Sequence, residues 1–348
     1  MGNGVGEAAG ERPLSVALVG LDSFFFARQI WRCLRGLSEA RVVAACTLGV
    51  EPAQIVANEG VSPEELAAAG VRCTDRLDAL LEGGEVEAAC VVTRPSRAPE
   101  CVAALAAAGI PCYVAKPAAR DAEGLAQLEA AVRTAGARVL SSGLTGRLDP
   151  AIAQAKQRIE RGEIGTPVAL RVMHQHGRLA DWPRGTWYDD PAETSPEVFL
   201  GWYCTDLLGW LGNSRIETID GLGARLADTV TPHADTIKAV GRLESGALVS
   251  FDVYFGVAWP YPSFEVEVIG TAGAIRVTQT QHDGSVYTKG GLRQFGRSGP
   301  DLLRAELAQW IAACRSGRTP FIDGAEVIAN LRACFELRAK TAVSGRRS

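Results

Sequence analysis

The sequence predicts an α/β chain in two parts: a doubly wound parallel sheet, then an α+β unit with a large, mostly antiparallel sheet. Three observations carry this. Leu14 to Val19 is an unbroken run rich in valine and leucine, and Gly20 closes it before the helical spacing Phe26, Ile30, Leu34. Strand-like and helix-like stretches then alternate as far as Leu140, the pattern of a parallel sheet with helices on both faces. From Ile216 to Thr278 strands recur without intervening helices, which suits antiparallel pairing.

In order, Arg41 to Cys46 reads as a second buried strand, followed by helical stretches at Glu51 to Glu59 and Pro63 to Ala69. Leu77 to Leu81 is a short helix, Glu87 to Val92 a third clear strand and Pro99 to Ala108 an alanine-rich helix. The strand ending at Lys116, the helix Ala122 to Thr134 and the strand Ala137 to Leu140 complete this part. Pro150 to Arg161 is an amphipathic helix stopped by Gly162, Thr166 to His174 a strand, and Val198 to Leu211 a buried helix. Strands follow at Ile216 to Leu226, Thr236 to Leu243, Leu248 to Phe255, Phe264 to Ile269 and Ala274 to Thr278, then helices at Leu302 to Cys314 and Ala325 to Ala342. The expected organisation is a polar, glycine-rich tail over 1–13, a first domain over 14–142 and a second over 143–348.

The chain has 348 residues, of which 47% are apolar, and this composition predicts a soluble globular protein of about two domains. A net charge of -4 leaves no electrostatic footprint for nucleic acid. No apolar run reaches the ~20 residues that span a bilayer. The nine cysteines are odd in number, form no CxxC pair and sit partly inside apolar runs. They read as reduced core thiols of a cytoplasmic protein. A small-molecule partner is the remaining class.

Ile110-Pro-Cys-Tyr-Val-Ala-Lys-Pro117 draws attention as a chemical site. Proline biases Lys116 toward an extended backbone, so its ammonium stands at the carboxyl end of a strand, where open α/β sheets bind ligands.

Five stretches together resemble the glucose-fructose oxidoreductase / inositol dehydrogenase (Gfo/Idh/MocA) family. They are Val16-Ala-Leu-Val-Gly20, Ala115-Lys116-Pro117, Ile159 to Arg171 with its Gly-Glu-Ile-Gly165, Phe199 to Leu211, and Val268-Ile-Gly270-Thr-Ala-Gly273. The resemblance covers nearly the whole chain after the tail. It implies a Rossmann-type dinucleotide-binding domain followed by a substrate domain, with Lys116 facing a nicotinamide. It also implies a homodimer or homotetramer through the second sheet. Tyr203 holds the family's catalytic histidine slot, as in its tyrosine-bearing branch, where Gly-x-Tyr-Cys is similar to Gly201-Trp-Tyr203-Cys204. A phenol has an ordinary pKa near ~10, and a neighbouring ammonium is expected to lower it. Lys116 and Tyr203 thus form an acid/base pair, and Asp206, one helical turn on, either orients one of them or pairs a structural partner.

The chain departs from the family at the cofactor. The expected GxGxxG reads Gly20-Leu-Asp22-Ser23-Phe24-Phe25, so the glycines for pyrophosphate approach and helix packing are gone. Asp22 is expected to repel a phosphate by roughly 4 kcal/mol at ~4 Å and an effective dielectric of ~20. Thr47 replaces the ribose-binding acid at the end of the second strand, and no arginine follows at once to favour a 2′-phosphate, which leaves NAD versus NADP open. Ala115 replaces a glutamate, Ala98 a histidine and Phe199 an aspartate.

The cofactor-binding candidates are therefore Gly20, Asp22, Ser23, Phe24, Thr47, Thr93, Arg94, Pro95 and Lys116. Arg97 either reaches a phosphate too or is a solvated charge. Substrate candidates are Lys116, His174, His176, Trp187 and Tyr203. His174 and His176 alternate along a strand, but two histidines are too few for a metal site. The first reading is hydride transfer between NAD(P) and a carbonyl or secondary alcohol of a sugar-like or cyclic compound. The alternatives are a ligand-binding or regulatory protein that kept the fold, and a non-redox acid-base enzyme catalysing elimination or isomerisation.

Overall fold

A computed structural model describes residues 12–23, 25–58, 60–135, 140–176, 186–226, 233–255, 263–277, 284–288, 291–295 and 301–341. Residues 1–11 of the tail, Phe24, Trp182 and His282 lie outside these residues.

The first half alternates as expected: β1 (Leu14–Val19), α1 (Phe25–Arg35), β2 (Ala40–Cys46), α2 (Pro52–Ala57), α3 (Pro63–Ala68), β3 (Arg72–Thr74), α4 (Leu77–Glu82), β4 (Ala88–Val91), α5 (Ala98–Ala107), β5 (Cys112–Val114), α6 (Ala122–Ala135) and β6 (Leu140–Ser142). The six strands pair in parallel in the order β3-β2-β1-β4-β5-β6, so the order reverses between β1 and β4. Ligands of open α/β sheets bind at such a switch point.

Successive side chains of a strand point to opposite faces, and β1 feeds two cores. Ala17 and Val19 pack with Cys101, Val102 and Leu105 of α5 and Leu128 of α6. Val16 and Leu18 pack with Ile30, Trp31 and Leu34 of α1.

The second half contains α7 (Pro150–Glu160), β7 (Pro167–His176), α8 (Pro196–Phe199), α9 (Gly201–Leu211), β8 (Ile216–Ala224), β9 (Thr236–Leu243), β10 (Leu248–Phe255), β11 (Ser263–Gly270), β12 (Ala274–Val277), β13 (Gly284–Thr288) and β14 (Gly291–Phe295). Its large sheet runs β12-β11-β7-β10-β9-β8, antiparallel except where β7 meets β10. One face buries Leu170, Val172, Ile237 and Phe251 under Leu207, Leu208 and Leu211 of α9. The other exposes Val240 (61%) and Leu248 (56%).

The last helices, α10 (Leu302–Ser316) and α11 (Gly324–Lys340), return to the first sheet. Leu307, Trp310 and Ile311 of α10 complete the core of Val16 and Leu18, while Val327, Leu331 and Cys334 of α11 join that of Ala17 and Val19.

Candidate active site

Lys116 lies two residues past the end of β5 and is 6% exposed. Its Nζ donates to the carbonyl of Phe199 at 2.7 Å. That carbonyl is available because one long helix, expected over Val198 to Leu211, breaks at Leu200 into α8 and α9. At the break Tyr203 N–H bonds Leu200 O instead of reaching back four residues to Phe199. The ammonium sits over three rings, 5.1 Å from the centroid of Tyr203, 5.3 Å from Phe26 and 5.6 Å from Phe199. The two residues named from sequence, 87 positions apart in numbering, therefore lie side by side in one cluster of side chains.

The electrostatics differ from the expectation. Burial pulls Lys116 down to about 7. Burial, with Glu306 second, pushes the Tyr203 phenol up from its ordinary value, against a hydrogen bond to Thr145. Desolvation penalises both charged forms, and it outweighs the attraction that was expected to lower the phenol.

His174, on β7, is fully buried and stacks on Phe264 at 4.3 Å, with Tyr203 edge-on at 5.6 Å. Burial, then His176 and Lys116, push it well below its ordinary value, so it is neutral. Its Nδ1 meets the Leu200 carbonyl at 3.3 Å. A carbonyl only accepts, so Nδ1 carries the proton and Nε2 is left as an acceptor. Nε2 is buried and has no protein partner. His176 is partly exposed, 6.2 Å from His174 between ring centroids. No group of three or more potential metal ligands occurs among the described residues.

Asp206 does not bond to this cluster. Its carboxylate is held by Arg147 through Nε and Nη2 at 3.0 and 2.5 Å, and Arg147 also reaches Glu326 at 2.8 Å. The acid assigned to catalysis thus neutralises a buried guanidinium between α9 and α11. Trp187 is also reassigned. It is buried, stacks on Tyr188 at 4.1 Å and donates through Nε1 to the carbonyl of Asp22 at 2.7 Å, so it offers no free face to a ligand.

At the dinucleotide turn, Gly20 has φ +110°, and a Cβ there would stand 2.3 Å from that of Thr93. The close approach this glycine permits is to the end of β4. Asp22 is fully buried, and its carboxylate accepts from Thr93 Oγ1 at 2.7 Å and from Arg94 Nε at 3.0 Å. The repulsion expected of Asp22 is therefore offset within the protein, and Arg94 serves this acid. Ser23 Oγ, buried in the same turn, has no protein partner. Pro95 is buried and Thr47 partly exposed at the end of β2. Ser96, next to Pro95, donates from N and Oγ to the Glu193 carboxylate at 3.0 and 2.6 Å.

A sequence model described as an oxidoreductase family with an NAD-binding Rossmann fold matches residues 14–143, and that of the GFO/IDH/MocA C-terminal domain matches 152–276. The chain belongs to the Gfo/Idh/MocA family. Its first sheet is accordingly an NAD-binding Rossmann domain in an oxidoreductase. An inositol 2-dehydrogenase of Ralstonia nicotianae is 26% identical over 301 residues, 85% of this chain and 82% of that protein. Among solved structures, myo-inositol 2-dehydrogenase from Lactobacillus plantarum superposes with a TM-score of 0.76 at 18% identity, covering 94% of this chain and 97% of that one. Scyllo-inositol dehydrogenase from Lactobacillus casei, solved with NAD(H) and scyllo-inositol, gives 0.74 at 16% identity, with 94% and 97% covered. At these identities the structures speak for the fold. No helix of the described residues is long and apolar enough to cross a membrane.

Sequence reasoning overlooked four residues of this candidate site. Phe26 and Phe264 form its walls, Thr145 bonds the phenol, and Glu193 ties the loop after β4. Glu193 lies in Glu193-Thr-Ser195, where the family that the sequence resembles carries a glycine-rich stretch, and that departure was the one signal available for it. The other three read as ordinary core or loop residues.

Proposed function

We propose that the chain moves a hydride between NAD(P) and a carbonyl or secondary alcohol of a sugar-like or cyclic molecule, with Lys116 transferring the proton and Tyr203 holding the reacting oxygen by a hydrogen bond. The observation that carries this reading is the Lys116 ammonium 5.1 Å from the Tyr203 ring, just past the end of β5. The turn after Gly20 suits a dinucleotide: its acid is already paired with Arg94 and hydrogen-bonded by Thr93, and Ser23 Oγ awaits a partner. A bound nicotinamide would accept or supply the hydride.

Lys116, titrating near 7, is matched to proton transfer at neutral pH. Neutral Lys116 takes the hydroxyl proton when an alcohol is oxidised, and its ammonium returns one when a carbonyl is reduced. Tyr203, pushed up by burial, keeps its proton and donates a hydrogen bond to the reacting oxygen. These roles invert those that an ammonium beside a phenolate would give. His174 Nε2 accepts from a second hydroxyl of the substrate. The inositol dehydrogenases among the relatives favour a cyclic polyol as the first compound to try. An oligomer formed through the open face of the second sheet is proposed with this reading.

The test is calorimetric titration with NADH and NADPH, followed by turnover on a panel of polyols and cyclic ketones. Tyr203→Phe is expected to keep cofactor affinity and to lose ~10²–10³ in kcat. Failure of both cofactors to bind at millimolar concentration would end the reading.

A further inference from the structure

The adenosine end of the cleft is built around a second basic residue. After β2 the chain turns tightly: Leu48 and Gly49 have φ of 54° and 70°, and Val50 N–H donates to Thr47 O at 3.1 Å. Positive φ at both central positions is the mirror-image type I turn, and a non-glycine residue adopts it at some cost. A Rossmann domain selective for unphosphorylated ribose carries a carboxylate at this strand end, on the ribose hydroxyls. A carboxylate also repels a 2′-phosphate. Here the residue is Thr47, which is neutral and partly exposed.

Arg97 comes to this turn from the other side of the switch point. It is the residue before α5, at the end of the loop that follows β4, and its Nη2 donates to Leu48 O at 2.8 Å. That bond uses one of the five N–H donors of a guanidinium, and the side chain is partly exposed. The left-handed Leu48 presents the carbonyl that aims it. On the adjoining end of β3, Asp78 is engaged by Arg76 and Asp75 is exposed to solvent. The strand end that normally carries a fixed negative charge thus has a hydroxyl and an aimed guanidinium, the group best suited to phosphate oxygens.

We propose that Arg97, with Thr47, recognises the 2′-phosphate of the adenosine ribose, so that the chain takes NADP(H) in preference to NAD(H). This rests on the oxidoreductase reading above and adds the choice between the two dinucleotides. Arg97 has no part in hydride transfer. It acts through binding alone.

The experiment is titration of the full chain with NADPH and NADH by nucleotide fluorescence, repeated calorimetrically with 2′,5′-ADP and 5′-ADP. Tighter binding of the phosphorylated partner of each pair by roughly tenfold or more is expected, the size of one charge-assisted hydrogen-bonded contact. Arg97→Gln should close most of that gap, Arg97→Lys should keep part of it, and Thr47→Asp should reverse it. Wild-type protein holding NADH as tightly as NADPH would overturn the proposal and leave the oxidoreductase reading standing. So would Arg97→Gln weakening both dinucleotides equally, since the guanidinium would then be holding the adenine or the turn. Failure of both dinucleotides to bind would remove the two readings together.

Discussion

Replacing Lys116 by methionine is expected to stabilise the nucleotide-free protein at low pH while abolishing turnover. The amine is buried, and burial alone lowers it from 10.5 to about 7. The folded chain therefore binds fewer protons than the unfolded one between those values, and stability rises with pH across that window. Below about pH 7 the full penalty is present, roughly 5 kcal/mol for such a shift, and above the unfolded value it vanishes. Methionine fills a similar volume without charge but leaves the Phe199 carbonyl unbonded. That loss costs about 1–3 kcal/mol and does not depend on pH. The informative quantity is therefore the slope: the advantage of Lys116→Met should shrink by about 1.4 kcal/mol per pH unit between pH 7 and 10. Urea unfolding of both proteins at several pH values measures it. Parallel stability curves across that range would show that the amine keeps its ordinary pKa, and the case for Lys116 as a neutral-pH base would fall with it.

Two further substitutions probe residues whose roles the structure revises. Asp206→Asn should cost about 3 kcal/mol in urea unfolding, because the buried Arg147 loses its main counter-charge while Glu326 still holds it. At temperatures where the variant is folded, its kcat should stay close to wild type, and a loss of several hundredfold would return Asp206 to the chemistry. Gly20→Ala should lower stability by about 1–3 kcal/mol, since φ is +110° and the new methyl meets the Thr93 side chain. Thermal unfolding tests this, and an unchanged Tm would mean that the turn relaxes freely.

Much of the fold was legible because its signals are local. Strand runs closed by glycine, and helices with apolar residues three or four apart, announce themselves within a dozen residues. β3 was missed because it is three residues long and begins with an exposed arginine. The hairpin of β13 and β14 was missed because each strand is only five residues long and neither forms a long apolar run. The site was legible in its residue types and obscure in its partnerships. Lys116 and Tyr203 could be named from a motif, but the break at Leu200 that frees a carbonyl for Lys116 is a tertiary event in a segment that reads as one helix. Asp22 looked hostile to phosphate because its two partners lie 71 and 72 positions downstream. The phenol was given the wrong direction because burial, which decides it, is a property of the assembled core.

The hydrogen bonds from Trp187 to the Asp22 carbonyl and from Ser96 to Glu193 bear on how this molecule comes together. A ribosome finishes β1 and the turn behind it long before it reaches position 187, so the nucleotide cradle must wait, unbraced, for material from the far side of the cleft. Pulling the halves apart would leave the turn behind β1 and the loop after β4 without those bonds. The brace goes with the other piece.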